Sequence, residues 1–137
     1  MLETTDVRTA IAALSVGVTR SGKASGMATL TPLHREVVAG MPRAENQEVR
    51  VILATLQPGD VTPYHSHRFP VTVYVTEGVF RLELDGRDPV EIHPGEVFVE
   101  PPHIKMTGRN PDPKTTARMA LFYVCDPETP FADPAER

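Results

Sequence analysis

The sequence predicts an all-β domain. Three observations carry this. Fourteen prolines and nine glycines are spread along 137 residues, the apolar runs between them are short, and those runs alternate with period two. An interior helix does not tolerate that proline density, whereas strands bounded by turns do.

The elements follow in chain order. Thr4 or Thr5 can cap a short helix with Val7, Ile11 and Leu14 on one face. "AIAALSVGV" is not a good signal peptide, because Glu3 and Asp6 precede it and only Arg8 is basic. Residues 15–28 are small, polar and glycine-containing, the composition of a loop or arm. "REVVA" (residues 35–39) reads as a short strand, and "EVRVILATL" (Glu48 to Leu56) as a longer one closed by the turn "QPGD". "HSH" leads into "PVTVYVTEG". In "VFRLELDG", Phe80, Leu82 and Leu84 share one face and Arg81 and Glu83 the other, with Asp85-Gly86 as the turn. "PVEIHPGEVFVEPP" supplies two strands around Pro94-Gly95, and "HIKMTGRN" and "ARMALFYVC" a last pair. The tail "DPETPFADPAER" reads as irregular. Eight to ten short strands at even spacing describe a sandwich or barrel. The expected organisation is an N-terminal arm over 1–45 that packs on the barrel or swaps across it, a barrel over 46–126 and a tail over 127–137.

Composition excludes several partners. A formal charge of −4 with no basic cluster gives no footprint for nucleic acid or an anionic membrane. No apolar run is long enough for a transmembrane helix, and a cytoplasmic location is the default expectation. The single cysteine, Cys125, excludes an internal disulfide framework and sits in an apolar run, the setting of an inert buried thiol.

The chemistry lies in the histidines. In a strand, residues i and i+2 share a face, so His65 and His67 point the same way, with Val71, Val73 and Val75 in the same parity. Two imidazoles facing an apolar interior each need a partner: a metal, a carboxylate, a backbone group or water. A metal is the partner best matched to the spacing; two hydrogen-bonded core histidines are the alternative. His34 and His93 are isolated beside turns and suit solvated or capping roles, while Tyr64 and Tyr74 are candidates for a barrel mouth.

Two stretches together resemble the signatures of the cupin superfamily. Pro58 to Gly78 resembles the first, a glycine, five residues, His-x-His, three or four residues, a glutamate, six residues and a glycine, with Gly59, His65, His67 and Gly78 in place. "PGEVFVEPPHIKMTGRN" resembles the second, with Gly95, Pro101 and Asn110 in place. The resemblance covers about half of the chain, from Val51 to Val124. It implies a double-stranded β-helix, the cupin or jelly-roll barrel, commonly a homodimer, and in members with a full ligand set a bound transition metal and sometimes oxygenase or isomerase activity.

The departures concern the ligands. Counting from Gly78, the signature glutamate falls on Val71; counting from Asn110, the signature histidine falls on Met106 and the glycine before it on His103. Glu77 shares the parity of Val71 but lies six residues further on, at another depth. Three arrangements follow. The metal is lost and the histidines anchor a small ligand; or His65, His67 and the Met106 thioether form a soft site suited to Cu(I); or His103 is turned inward by a bulge. The expected pocket is His65, His67, Val71, Val73 and Met106, with His65 and His67 as metal ligands and Met106 or His103 as candidate third. The leading expectation is a small-ligand-binding cupin with at most a weakly held divalent transition metal or copper. The alternatives are a metal-dependent enzyme on a small organic substrate and a regulatory or structural barrel dimer. Whether the chain is an enzyme stays open at this level.

Overall fold

In a computed structural model of the chain, residues 26–137 are described. The helix expected over residues 4–14 lies outside them, as do the first residues of the expected arm. The chain divides at Arg35 and Glu36. In the first unit, residues 26–35 carry no regular structure.

The second unit, Glu36–Arg137, holds nine strands and, among the described residues, no helix: β1 Glu48–Leu56, β2 His65–Ser66, β3 Val71–Glu77, β4 Phe80–Leu84, β5 Val90–Ile92, β6 Val97–Glu100, β7 Met106–Arg109, β8 Ala117–Cys125 and β9 Asp133–Pro134. They form a four-stranded sheet of order β1-β8-β3-β6 and a five-stranded sheet of order β5-β4-β7-β2-β9. All pairings are antiparallel. This is the double-stranded β-helix that the sequence implied. Two expectations differ. Residues 35–39 form no strand. The tail is not wholly irregular: β9 adds to the edge of β2, pairing Pro134 with His65 and Asp133 with Ser66.

Period-two burial builds the core. Val71, Val73 and Val75 of β3, Phe80, Leu82 and Leu84 of β4, and Ala117, Met119, Tyr123 and Cys125 of β8 are all buried. Their alternate neighbours face out; Arg81 lies between Glu83 and Glu91, for example. Along β1 the outward row is itself apolar, with Val49, Val51 and Leu53 exposed, and Phe122 is exposed opposite Val51 on β8. Cys125 is fully buried and burial pushes its thiol pKa up, which suits an inert side chain.

Turn chemistry brings the two signature stretches together. Gly59 takes φ 81° in the turn after β1, where the Asp60 amide donates to the Gln57 carbonyl at 2.9 Å. That turn is tied to the second signature: the Gly59 amide donates to the Asn110 carbonyl at 3.2 Å and the Asn110 amide to the Asp60 carbonyl at 3.0 Å. The buried Asn110 side chain donates to the Leu56 and Thr115 carbonyls at 3.0 and 2.8 Å and accepts from the Asp112 amide at 3.0 Å. The signature asparagine is therefore structural: it satisfies backbone groups that the chain reversal would otherwise leave buried and unpaired.

Candidate functional site: a carboxylate–histidine pair in an apolar cavity

A cavity of about 320 Å³ lies in the barrel unit. Its walls are chiefly apolar, with Leu56, Phe80, Leu82, Met119, Leu121 and Phe131 prominent, and it is faced by Thr62, His65, His67 and Glu100. That volume stands at the small end of ligand pockets, and an apolar wall with a few convergent polar groups is their usual composition.

Each imidazole is oriented by a backbone carbonyl. His65 Nδ1 lies 2.6 Å from the Pro63 carbonyl, and His67 Nδ1 lies 2.6 Å from the Phe131 carbonyl. A carbonyl can only accept, so both Nδ1 atoms carry the proton and both Nε2 atoms are left for other work. The rings meet edge to face at a centroid distance of 4.8 Å. His67 also meets the Phe131 ring edge to face at 4.8 Å, so a residue of the tail fixes this histidine twice. The loop after β6 fixes its backbone, through the His103 amide donating to the His67 carbonyl at 2.7 Å.

Glu100 ends β6, directly opposite Val71 of β3. It is 5% exposed, and His67 is 2% exposed. Glu100 Oε1 stands 3.3 Å from His67 Nε2. That exceeds the ~2.7–2.9 Å of a charge-assisted hydrogen bond. His67 is the one polar partner of this carboxylate among the described residues. A buried carboxylate with a single, distant partner is costly unless something else meets its remaining lone pairs.

The other expected site residues fall elsewhere. Val71, Val73 and Met106 are fully buried in the core and do not line the cavity. Met106 is held mid-sheet between His65 of β2 and Leu84 of β4. His103 is exposed and absent from the cavity wall, in a turn at φ 67°. Glu77 faces outward and pairs with Arg118 at 3.0 Å. The Tyr64 hydroxyl donates to Asp85, and His93 is exposed in a turn. Glu100 and Phe131 were not singled out from the sequence. Glu100 could have been noticed as the carboxylate that ends the apolar run "VFVE"; nothing local marks Phe131.

The cupin-domain family profile matches residues 52–124. This chain belongs to the cupin family. Solved structures similar to this cupin include a cupin-like protein from Thermotoga maritima, with TM-score 0.56 and 20% identity over 64% of each chain. This cupin therefore spans under two thirds of that protein. A conserved protein with a double-stranded β-helix domain from Klebsiella pneumoniae gives TM-score 0.55 and 15% identity, covering 80% of this chain and all of that one. A cupin superfamily protein from Desulfitobacterium hafniense gives 0.52 and 13%, covering 72% and 92%. At these identities the likeness is one of fold. No curated protein is matched.

The four-ligand set of the cupin signature is incomplete in this chain. Two of its four positions hold Val71 and Met106, both sealed in the core. Among the described residues no three His, Cys, Asp or Glu side chains converge as a metal site would require. Met106 and His103, the candidate third ligands, are both outside the cavity wall.

Proposed function

We propose that this cupin binds a small, mostly apolar molecule in the barrel cavity, with His67 and Glu100 anchoring its polar end. The observation that carries the reading is the buried Glu100 carboxylate, 3.3 Å from His67 Nε2 and with no other partner among the described residues, in the wall of an apolar cavity. A ligand donor there would pair the carboxylate where it faces the cavity, and the apolar wall would supply the bulk of the affinity.

The test is a thermal-shift screen of small organic molecules on protein purified without a metal-affinity tag, repeated on Ala54→Phe. Ala54 lines the cavity, and a phenyl group at that position fills it. Hits that vanish in Ala54→Phe support the reading; hits that persist place the ligand elsewhere and sink it. Metal analysis of the same preparation decides the rival reading of a metal-dependent enzyme. One transition-metal ion per chain, lost in both His67→Ala and Glu100→Gln, would replace the ligand-binding proposal with that one.

For assembly, we propose a homodimer in which a second copy covers the outward row Val49, Val51 and Leu53; the exposure of these side chains on a long edge strand supports it. Light scattering of Leu53→Lys distinguishes it: a dimer becoming a monomer is expected, and a wild-type monomer refutes it.

A further inference from the structure

Hydrogen-bond polarity in the cavity is one-sided. The His65 and His67 Nδ1 protons are both spent on backbone carbonyls, at 2.6 Å each. In the neutral rings this leaves Nε2 as an acceptor. Glu100 is an acceptor when ionised. Thr62, the remaining polar side chain of the wall, is already satisfied: its Oγ1 donates to the Pro63 carbonyl at 3.2 Å and accepts from the Gly108 amide at 2.9 Å. Among the described residues no Lys, Arg, Asn, Gln or Trp lines the cavity. If His67 takes a second proton, that proton faces Glu100, and the other carboxylate lone pairs still seek donors.

From this we infer that the cavity selects small apolar molecules that carry a hydrogen-bond donor, an amine or an alcohol, and rejects carboxylates. The inference rests on the reading of the cavity as a ligand site and adds the chemical class. With His67 neutral, a donor bridging Glu100 Oε1 and His67 Nε2 from the cavity side would meet two acceptors only 3.3 Å apart. An amine in its ammonium form would also neutralise Glu100. A carboxylate would add a second negative charge beside the first, with no Lys or Arg in the wall among the described residues to offset it, and burial makes like-charge contact expensive. A hydrocarbon of the same shape would leave both acceptors unmet.

The experiment titrates EDTA-treated full-length protein with benzylamine, benzyl alcohol, toluene and benzoate, following side-chain resonances of Leu82, Leu121 and Phe131 by NMR. Benzylamine and benzyl alcohol are expected to bind at least tenfold more tightly than toluene or benzoate. In Glu100→Gln the advantage of benzylamine over benzoate should fall by tenfold or more. Should Glu100→Gln fail to fold, His65→Phe is the second variant; it removes an acceptor at a less buried position and should weaken the alcohol relative to toluene. Benzoate or toluene binding as tightly as the amine overturns the donor selectivity and leaves the cavity reading standing. No perturbation by any of the four overturns the cavity reading itself. A further arm adds Zn²⁺ or Mn²⁺ alone: saturation at one ion per chain with loss of amine binding shows a metal site and overturns the inference.

Discussion

Glu100 faces Val71 across the β3–β6 ladder. Val71 occupies the position where the cupin signature has its glutamate, so this chain carries a carboxylate one strand away from the expected place. From there it approaches His67 Nε2 to 3.3 Å. The signature departure at Val71 therefore does not leave the barrel without an acid; it moves the acid to the neighbouring strand.

The two members of this pair should differ in what they contribute to stability. His67→Ala removes the ring that meets Phe131, strands the Phe131 carbonyl and leaves Glu100 buried alone. A loss of about 3–5 kcal/mol is expected, the range for emptying a fully buried aromatic site, with the unpaired Phe131 carbonyl adding to it. Glu100→Gln keeps the shape and removes the charge, and should cost under about 1.5 kcal/mol or be neutral. Urea unfolding of both variants measures this. Equal costs would mean that the pair is not the reason for either burial.

Acid should loosen the tail before it unfolds the barrel. Arg68 Nε and an Nη donate to the two Asp133 carboxylate oxygens at 3.0 and 3.1 Å, clamping β9 to the strand that carries His65. The hydrogen bonds from Arg68 hold the Asp133 carboxyl below its ordinary pKa. A depressed carboxyl contributes stability above its unfolded pKa of ~3.9 and loses it as pH falls through the lower folded value. Hydrogen exchange at the Ala135 amide, which donates to the Tyr64 carbonyl at 3.0 Å, should show protection at pH 7 that falls below about pH 4. Asp133→Asn should show reduced protection already at pH 7. Both partners are exposed, so added salt should weaken the effect.

His103 stands where the signature has glycine and adopts φ 67°. Histidine tolerates the left-handed region better than most residues but still at a cost, and its side chain is exposed. His103→Gly should therefore be neutral or stabilising by up to ~1 kcal/mol, because relief of strain opposes the greater freedom of the unfolded chain. Thermal unfolding checks it. A clear destabilisation would show that the imidazole has a structural role in the loop that orders the His67 carbonyl.

Gly78 shows the opposite case. It sits at φ 73°, and a Cβ there would lie 2.5 Å from the Thr116 carbonyl oxygen and 2.8 Å from the Ala117 Cα. Backbone cannot yield as a side-chain tip can. Gly78→Ala should cost more than the ~1 kcal/mol of a left-handed residue alone, with loss of the β3–β8 register at its lower end. A fall in melting temperature of only a degree or two would contradict this.

Tyr123 gives a cleaner measure of an unsatisfied group. Its hydroxyl is buried and has no hydrogen-bond partner among the described residues, and burial pushes its pKa up; the Phe69 and Arg68 amides oppose that shift without reaching hydrogen-bond geometry. Tyr123→Phe keeps the ring contacts with His67 and Phe131 and should be neutral or stabilising by about 1 kcal/mol. Destabilisation beyond that would reveal a partner for the hydroxyl, such as a bound water.

Much of the fold was determined by the sequence itself. Alternation in "VFRLELDG" and "PVTVYVTEG", turn glycines such as Gly59 and Gly78, and Asn110 at its signature offset set the strands and their faces, because these signals are local and periodic. The inward direction of His65 and His67 was legible for the same reason. Their partners were not. Glu100 meets His67 because β6 pairs with β3 in a register that places it opposite Val71, and Phe131 meets His67 across 64 residues of sequence. Such contacts depend on strand pairing and tail docking, which no local pattern encodes. Tertiary structure alone decided that the two histidines spend their Nδ1 protons on backbone carbonyls, and so that the cavity faces its contents with acceptors.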